Sequence, residues 1–394
     1  MSLSVSKRMA RVKPSPTSAT LALAAELRAA GRDIINLGAG EPDFDTPPAI
    51  KDAAIEAIRA GATKYTPIEG TAELRAAVRR KFERENGLTY ATAQIVVSTG
   101  AKQALFNLCL AVLDPGDEVI IPAPYWVSYP DMVALAGADP VFVYAGIEQD
   151  FKVTPEQLAR AISDKTRLLI LNSPSNPTGA SYCETELAAL GEVLEAHARI
   201  LIVSDDIYEH VHWASEPFVS FASACPALFE RTVTTNGVSK AYAMTGWRIG
   251  YAAGPESVIA AMKTVQSQST SNPCSVSQAA AVAALEGDQK VVAEMTAAYR
   301  ERHDYLVPAL NSIPGFECRA GEGTFYAFPR VAAALDAGGF KSDTELTEYL
   351  INEADVALVP GTAFGAPGYL RLSFACSRET LETAVSRIRR AVSA

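Results

Sequence analysis

The sequence contains few histidines and no paired cysteine motif. Its 394 residues include 4 histidines and 6 cysteines, and no two cysteines form a C-x-x-C pair. This argues against a zinc ribbon and against a thioredoxin-like redox site. His210 and His212 form an H-x-H pair without a further histidine or cysteine cluster, so we expect no metal site. Cysteines scattered through apolar segments favour a reduced compartment, and we expect a cytoplasmic protein.

Positive charge and long apolar runs are scarce as well. The net charge is −10 at pH 7, which argues against binding to nucleic acids or to anionic membrane surfaces. No apolar run is long enough to span a bilayer, and the basic N-terminal segment lacks the apolar core of a secretory signal. An acidic substrate would therefore have to be bound by individually placed cations.

Short apolar segments alternate with helical patterns through the middle of the chain. Strands are predicted at 94–100, 118–124, 140–145, 166–179 (ending in a Pro/Asn/Gly turn), 199–206, 231–237 and 247–254. Helices are predicted at 101–113 and 186–198. Such alternation is typical of βαβ units. The predicted fold class is α/β, with a mostly parallel sheet covered by helices on both faces.

The pattern changes near residue 285. A long amphipathic helix follows, and then a mixture of short strands and helices. We expect a large domain over residues 46–285 and a smaller α/β domain over residues 286–394. Residues 1–45 are expected to form an N-terminal arm and part of the small domain.

Lys240 is surrounded by small and polar residues in the segment TNGVSKAYAMTGWRIG, and Arg248 follows eight positions later. A lysine is nucleophilic only when neutral, so a catalytic lysine needs burial or cationic neighbours. Small neighbours let a flat cofactor approach, and an arginine can bind a phosphate with two hydrogen bonds. The pair suggests a covalent site for pyridoxal phosphate. The alternative is a surface lysine in a flexible loop.

An acid and an anion site are predicted at the ends of neighbouring strands. Asp205 ends a buried strand, where it could face the ring nitrogen of pyridoxal phosphate, and Tyr208 could hydrogen-bond the ring hydroxyl. Ala101 and Lys102 open a helix directly after a strand, so their free amides point toward an anion. Taken alone, each feature is also explained by a strand-capping aspartate or by a common strand–helix junction.

Two further motifs follow strands of the same predicted sheet. Trp126 in APYWVSYP could stack on a ring. Asn176 presents its amide from the turn NSPSNPTG, where a proline stands on either side of it. A core tryptophan and an ordinary loop are the alternatives. Because all these motifs fall mostly at the ends of successive strands, their joint occurrence favours one shared site.

The order and wording of these motifs resemble the class I aminotransferases of pyridoxal-phosphate fold type I, in particular the bacterial aspartate aminotransferases of the one-beta subgroup, some of which accept prephenate. The resemblance covers nearly the whole chain and rests on the segments KPSPT, LGAGEPDFDTP, TKYTP, GAKQALFNL, PYWVSYP, NSPSNPTGA, VSDDIYEH, SKAYAMTGWRIGY, GTFYAF, LVPGTAFG and YLRLSFA. It implies a large domain that binds pyridoxal 5'-phosphate on a mostly parallel seven-stranded sheet. It also implies a ping-pong aminotransferase that moves the amino group of aspartate to 2-oxoglutarate. Prephenate, aromatic or alanine specificity is the alternative.

The resemblance also implies a role for each motif. Lys240 would bond the cofactor and move the proton at the substrate Cα, and the other catalytic residues would be Asp205 and Tyr208. The residues that hold the cofactor would be Lys240, Asp205, Tyr208, Asn176, Trp126, Arg248, Ala101, Lys102 and Tyr65. The residues that bind the substrate would be Arg371, which forks onto the α-carboxylate, and Gly40, Trp126, Asn176, Lys102 and Lys13. Because the tyrosine of KYTP crosses from the partner subunit in this family, Tyr65 implies a homodimer with shared active sites.

The sequence departs from the family pattern at two places. The other main aspartate aminotransferase branch uses an arginine after the cofactor lysine for the distal carboxylate, and residues 266–273 contain none. Lys102, with Lys13 as a second cation, is predicted to take that role. A lysine is a less strict carboxylate partner, which favours broad dicarboxylate specificity. Gly237 stands where many relatives carry a serine that binds phosphate.

Two other classes of protein fit the sequence less well. A dinucleotide-dependent dehydrogenase would need a third glycine and a helix start, where LGAGEPDF instead has Pro42. A non-catalytic relative would lack some of the chemical positions, which are all filled in this chain. An enzyme that binds pyridoxal phosphate is therefore expected.

Overall fold

A computed structural model describes residues 4–14 and 16–393. Its α-helices are, in chain order, α1 (Pro16–Ala29), α2 (Pro48–Arg59), α3 (Ala72–Lys81), α4 (Ala101–Val112), α5 (Ser128–Ala136), α6 (Pro155–Ala161), α7 (Glu184–Glu195), α8 (Phe221–Ala224), α9 (Glu256–Ser267), α10 (Ser275–Glu286), α11 (Lys290–Asn311), α12 (Ala332–Gly338), α13 (Asp343–Glu353) and α14 (Arg378–Val392). Its strands are β1 (Ile35–Asn36), β2 (Ile95–Ser98), β3 (Glu118–Ala123), β4 (Asp139–Tyr144), β5 (Thr166–Asn172), β6 (Leu201–Asp205), β7 (Thr232–Gly237), β8 (Gly250–Ala253), β9 (Tyr326–Ala327), β10 (Val356–Ala357), β11 (Val359–Pro360) and β12 (Leu370–Ser373). Within these two described ranges, no helix is both long enough and apolar enough to cross a bilayer.

A seven-stranded sheet forms the centre of the molecule, with the strand order β2–β8–β7–β6–β5–β3–β4. Neighbouring strands are parallel except around β8, which runs antiparallel to both β2 and β7. Strands β2, β6, β7 and β8 are buried along their whole length, as expected for strands covered on both faces. The predicted α/β class and the mostly parallel sheet are confirmed.

Helices cover both faces of this sheet. Side chains of α4, α5 and α9 pack on one face, against strand residues that include Val119 and Ile121. Side chains of α6 and α7 pack on the other face, together with Ile120. Successive residues of a strand point to opposite faces, so a continuous apolar run such as that of β3 contributes to both cores.

The C-terminal part of the chain has a core of its own. Apolar side chains of α11, α13 and α14 pack around β9, β10 and β12. Strand β1 pairs in parallel with β10, and α1 contacts β10 and β11. Tyr208 and Val211, from the loop after β6, also join this core. That loop therefore connects the large sheet with the C-terminal part. The domain boundaries at residues 45 and 285 stay a prediction.

The strand that follows Lys240 is shorter than the sequence predicts. A strand is predicted over 247–254, whereas β8 begins at Gly250. Residues Thr245–Trp247 form a 3-10 turn, and Arg248 has a φ of 56°. The chain thus reverses direction before β8 begins, which makes β8 antiparallel to β7 and brings Arg248 back to the edge of the sheet.

Candidate active site

A cavity of about 410 Å³ lies where β5, β6 and β7 end. Open α/β sheets bind ligands at this edge, outside the carboxyl ends of their strands. The predicted site residues that line the cavity are Gly40, Ala101, Lys102, Trp126, Asn176, Asp205, Tyr208, Lys240, Arg248 and Arg371. The fold therefore brings together residues that lie far apart along the chain.

Lys240 is partly buried and lines this cavity. Its Nζ donates a hydrogen bond to the carbonyl oxygen of Gly40, 2.5 Å away. Burial, followed by the positive charge of Arg371, lowers the pKa of Lys240 to about 8. An exposed lysine has a pKa of about 10.4, so far more of the nucleophilic neutral amine is present on Lys240 near neutral pH.

Asp205 is buried at the end of β6. Its Oδ2 accepts a hydrogen bond of 2.5 Å from the hydroxyl of Tyr129. Burial raises the pKa of Asp205 to about 6, although Tyr129 and Lys240 act in the opposite direction. A cation beside this carboxylate would lower its pKa again, because opposite charge stabilises the ionised form. Asp205 is thus suited to face a protonated ring nitrogen.

Tyr208 forms a hydroxyl pair with Tyr326, with 3.0 Å between the two oxygens. Burial raises the pKa of Tyr208 well above its ordinary value, and the neighbouring Tyr326 adds to this effect. The phenol is therefore neutral at physiological pH and can donate a hydrogen bond. Lys240 Nζ lies 5.8 Å from the centre of the Tyr208 ring, so the two groups face the same space.

Arg371 is a buried cation on β12, with only 2% of its surface exposed. Its Nη1 donates to Oδ1 of Asn176 at 3.0 Å, and its Nη2 donates to the carbonyl oxygen of Gly38 at 2.8 Å. In the described part of the chain its Nε has no hydrogen-bond partner, and no carboxylate acts on its pKa. A buried guanidinium without a counter-charge is costly. Arg371 is therefore suited to bind an anionic ligand.

Arg248 lies beside the N-terminus of α4 and can form an anion site with it. A Cβ on Gly100 would collide with Nη2 of Arg248, and a Cβ on Gly250 would collide with the backbone nitrogen of Ala101. The first amides of a helix have no acceptor inside the helix, and the helix dipole favours an anion there. Close packing of glycine backbone, arginine and helix start produces a cradle suited to a phosphate.

Lys102 is a further cation at the cavity. Its Nζ lies 4.9 Å from the centre of the Trp126 ring. Burial, followed by the charge of Arg248, lowers the pKa of Lys102. The indole face and the ammonium group are thus presented side by side, and a second carboxylate of a ligand could pair with Lys102.

Gly237, where the family resemblance would lead us to expect a serine, has little room for a side chain. It is buried in β7, and a Cβ would lie 3.0 Å both from the Cα of Gly250 and from the carbonyl oxygen of Ile249. A serine there would require a backbone shift. Ser239 lines the cavity two residues later and is the hydroxyl closest in sequence to Lys240.

The lining residues that are not among the predicted site residues include Tyr129, Asn172 and Tyr326. Asn172 is the last residue of β5. Its Nδ2 donates to the carbonyl oxygen of Asp205 at 2.8 Å. Its Oδ1 accepts from the backbone nitrogen of Asn176 at 2.9 Å. Tyr129 lies in the same segment PYWVSYP as Trp126, and that segment could have indicated it. Tyr326 lies in the segment GTFYAF, which resembles the family pattern, but its position beside Tyr208 is set by the fold.

Tyr65 and Lys13 do not line the cavity of their own chain. The side chain of Tyr65 is 92% exposed. Lys13 is exposed as well, and its backbone nitrogen donates to Oδ1 of Asp131 at 3.3 Å. The roles of both residues stay predictions, and the role of Tyr65 requires a second subunit.

The profile of the family described as aminotransferase class I and II matches residues 32–388. The chain, with its seven-stranded sheet and its lysine at the strand ends, therefore belongs to the class I and II aminotransferases. It is 55% identical to the aspartate/prephenate aminotransferase of Nitrosomonas europaea over 392 residues, which cover 98% of this chain and 99% of that protein.

Solved structures give the same result. The aspartate aminotransferase from Rhizobium meliloti superposes with a TM-score of 0.96 at 47% identity, covering 100% of this chain and 99% of that one. The aspartate aminotransferase from Thermus thermophilus, solved with maleate, superposes with a TM-score of 0.93 at 45% identity, covering 99% of this chain and 100% of that one. The family and the fold predicted from the sequence are confirmed.

Proposed function

We propose that this protein transfers the amino group of aspartate to 2-oxoglutarate in a ping-pong reaction, with pyridoxal 5'-phosphate as its cofactor. Membership of the class I and II aminotransferases supports a reaction between amino acids and 2-oxoacids. The choice of aspartate is supported by the names of the similar proteins and by the cations at the cavity.

The observation that carries this proposal is a buried arginine that has no acidic partner among the described residues and lies beside a lysine of lowered pKa. Arg371 and Lys240 line the same cavity, and the charge of Arg371 is the second cause of the low pKa of Lys240. An amino-acid substrate brings a carboxylate that can accept two hydrogen bonds from a guanidinium. Binding it at Arg371 would hold the substrate Cα close to Lys240.

The residues of the cavity fit pyridoxal 5'-phosphate in three respects. Lys240 offers an amine of lowered pKa for the aldehyde, and Asp205 offers a buried carboxylate for the ring nitrogen. The cradle formed by Arg248 and the start of α4 suits the phosphate, and it depends on Gly250, where a Cβ would collide with the backbone nitrogen of Ala101. Asn176 and Tyr208 would hydrogen-bond the ring oxygen, and Trp126 would stack on the ring.

When bound, the cofactor supplies an electron sink for the bond that breaks at the substrate Cα. Lys240 Nζ removes the proton from Cα and later delivers a proton as a general acid. Asp205 keeps the ring nitrogen protonated by placing a negative charge beside it. Arg371 fixes the orientation of the substrate through its α-carboxylate, so that the Cα–H bond faces Lys240.

Lys102 is the cation proposed to bind the distal carboxylate of aspartate. Its ammonium lies over the Trp126 ring at the cavity, as described above. The similar protein from Thermus thermophilus was solved with maleate, which is a dicarboxylate. Lys13 is the second cation proposed for this carboxylate, although it lies outside the cavity of its own chain.

The test is a steady-state assay of the purified holoprotein with aspartate, glutamate, phenylalanine and alanine as donors and 2-oxoglutarate as acceptor. Aspartate is expected to have the highest kcat/KM. The variant Lys102→Met should lower kcat/KM for aspartate by roughly 10- to 100-fold, the usual effect of losing one charge-assisted hydrogen bond. Its kcat/KM for phenylalanine should stay nearly unchanged. A parent that prefers alanine, or a variant that loses both substrates equally, contradicts the proposal.

Prephenate is a second candidate substrate. Two similar proteins, from Nitrosomonas europaea and Cereibacter sphaeroides, are named aspartate/prephenate aminotransferase and are each 55% identical to this chain. A lysine imposes less strict geometry on a carboxylate than an arginine does, so Lys102 is compatible with a bulkier dicarboxylate. Consumption of prephenate with aspartate or glutamate as donor supports this activity, and its absence restricts the protein to smaller 2-oxoacids.

A homodimer and a cytoplasmic location complete the proposal. Tyr65 could reach a phosphate only in a neighbouring subunit, because its side chain is exposed and away from its own cavity. Apolar side chains of α2 (Ile55 and Ile58) are exposed too, and such residues are often covered by a partner. All six cysteines are unpaired, which supports a reducing compartment.

A further inference from the structure

A buried ion pair lies at the loop that follows Asp205 and carries Tyr208, and the proposed chemistry does not use it. Lys81, the last residue of α3, has a fully buried side chain, and its Nζ contacts Oε1 of Glu209. The side chain of Glu209, which follows Tyr208 directly, is 4% exposed. Removing two charges from water is expensive, so a pair at this depth calls for an explanation.

Glu209 accepts hydrogen bonds on both carboxylate oxygens. Its Oε2 accepts from Nδ2 of Asn86 at 2.9 Å, and its Oε1 accepts from Nδ2 of Asn236 at 2.9 Å. Burial alone would raise the pKa of Glu209, but the charge of Lys81 and the surrounding donors lower it. The carboxylate is therefore ionised, and each oxygen is bound to a different chain segment.

One of these segments leads to Lys240. Asn236 lies in β7, four positions before Lys240, and its Oδ1 accepts from the backbone nitrogen of Gly237 at 2.7 Å. The other side of Glu209 is the loop after β6, where its backbone nitrogen donates to the carbonyl oxygen of Asp206 at 2.9 Å. One carboxylate thus connects the loop that follows Asp205 and carries Tyr208 with the strand that precedes Lys240, in addition to the direct pairing of β6 with β7.

The opposite side of Glu209 is anchored in α3 and the turn after it. Residues Phe82–Asn86 form a π-helical turn, a geometry found frequently at functional sites. Asn86 binds Glu209 from this turn, and Nζ of Lys81 donates to Oδ1 of Asn86 at 2.7 Å. Lys81 and Asn86 therefore hold the Glu209 carboxylate in place.

A metal ion is a poorer explanation for this cluster. Glu85, Glu209 and His210 bring potential ligand atoms within 4.8 Å of one another. However, the ammonium of Lys81 contacts Glu209 and lies 3.5 Å from Oε2 of Glu85. The two carboxylates therefore already have their counter-charge.

We propose that Glu209 is a positioning residue, which holds Asp205 and Tyr208 in register with Lys240 through its hydrogen bond to Asn236. The inference rests on the proposed function, because the quantity it controls is the geometry around the bound cofactor. Lys81 supplies the charge that keeps Glu209 ionised.

The first test is Glu209→Gln in the holoprotein. A glutamine side chain has only one acceptor oxygen, and its other terminal atom is an NH2 donor. It therefore cannot accept the hydrogen bonds of both Asn86 and Asn236 on separate oxygens, and it carries no charge to pair with Lys81. We expect kcat to fall by about tenfold or more, since small misplacements at a reacting centre have effects of this size. KM for aspartate should change by less than about threefold, because Arg371 is not affected. The pH midpoint of the visible absorption of the bound cofactor should shift by about half a unit or more, because Asp205 moves relative to Lys240.

Glu85→Gln is the matched control. It also removes a carboxylate from the neighbourhood of Lys81, and Glu85 is hydrogen-bonded to His210 of the loop after β6. The amide of Asn236, however, donates to Glu209 and not to Glu85. This variant is expected to lower Tm, while kcat and the absorption midpoint stay those of the parent. A purely structural role of the cluster would instead give the same result in both variants.

Asn236→Ala keeps the proposal testable if Glu209→Gln fails to fold. It cuts only the connection toward Lys240 and leaves the ion pair intact. It should shift the pH midpoint of the cofactor absorption in the same direction as Glu209→Gln. The double variant should shift that midpoint little further, because both substitutions break the same hydrogen bond. An unchanged midpoint and kcat in Asn236→Ala overturns the inference. A parent protein that binds no pyridoxal phosphate overturns the proposed function itself.

Discussion

At the scale of single residues, the charge of Arg371 changes the pKa of Lys240. The positive charge of Arg371 is the second cause, after burial, of the low pKa of Lys240. A substrate carboxylate bound at Arg371 would offset that charge, and the pKa of Lys240 would then rise. Substrate binding would thus make Lys240 a stronger base at the stage when it must take the Cα proton.

The first prediction concerns the titration of Lys240 in the protein without cofactor. Only the neutral amine reacts with an acylating or arylating reagent, and burial together with Arg371 disfavours the charged form. The rate of Lys240 labelling should therefore rise with pH and be half-maximal near pH 8, below the value of about 10.4 for an exposed lysine. Mass spectrometry of the peptide that contains Lys240 measures this rate. Labelling that increases only in step with the surface lysines contradicts the expectation.

At the scale of elements, the anion cradle depends on how closely β8 approaches the start of α4. Gly250 opens β8, and a Cβ there would collide with the backbone nitrogen of Ala101. The cradle is therefore a property of two packed elements, in which the side chain of Arg248 is only one part.

The second prediction is that Gly250→Ala impairs cofactor binding. Overpacking of this kind costs about 1–3 kcal/mol and would displace the amides that face the phosphate. The Kd for pyridoxal 5'-phosphate, measured by fluorescence or by equilibrium dialysis, should increase by roughly tenfold or more. Gly246→Ala is the control, because a Cβ on Gly246 would have no neighbour within 4 Å. Equal affinities in the two variants would show that the cradle does not bind the phosphate.

Much of the sheet could be predicted from the sequence, because most of its strands are short runs rich in apolar and β-branched residues. Strand β6, which ends at Asp205, is such a case, and the edge position of Asp205 follows from the βαβ pattern alone. The direction of β8 could not be predicted. It depends on the 3-10 turn Thr245–Trp247 and on the positive φ of Arg248, and neither has a periodic sequence signal.

Contacts between elements that are distant along the chain could not be predicted from the sequence either. Tyr326 meets Tyr208 across 118 positions, and Glu209 meets Asn236 across 27. Such pairs form because β9, β6 and β7 pack together. A local sequence motif indicates a residue only from its neighbours along the chain, so it cannot indicate these contacts. The ionic partner of Glu209, Lys81, has the sequence pattern of an ordinary helix-terminal lysine.

At the scale of the whole molecule, the cavity concentrates positive charge in an acidic protein. The chain carries a net charge of −10, yet four cations line one cavity, namely Lys102, Lys240, Arg248 and Arg371, against the two carboxylates of Glu41 and Asp205. Overall charge would therefore not attract an acidic substrate. In the proposed function, recognition depends on these placed cations, which a low-dielectric surrounding makes more effective.

The third prediction tests whether two subunits share each active site. Lys240→Ala and Tyr65→Ala are expected to be much less active when each is assembled alone. Each site is expected to combine Lys240 of one subunit with Tyr65 of the other. In a dimer of one Lys240→Ala subunit and one Tyr65→Ala subunit, one site therefore carries both substitutions and the other carries neither. Random mixing should therefore restore roughly a quarter of the parent activity, because half of the dimers are hybrids with one intact site. No recovery on mixing would show that Tyr65 does not serve the partner's site.

The central claim, that Lys240 binds pyridoxal 5'-phosphate covalently, is tested most directly by reduction of the loaded protein with borohydride. Reduction should fix the cofactor on Lys240, so that trypsin no longer cleaves there and a modified peptide spanning residues 232–248 is recovered. Mass spectrometry of the digest should show one cofactor per chain, at this position alone. A label on a different residue, or a protein that takes up no cofactor, would contradict the account.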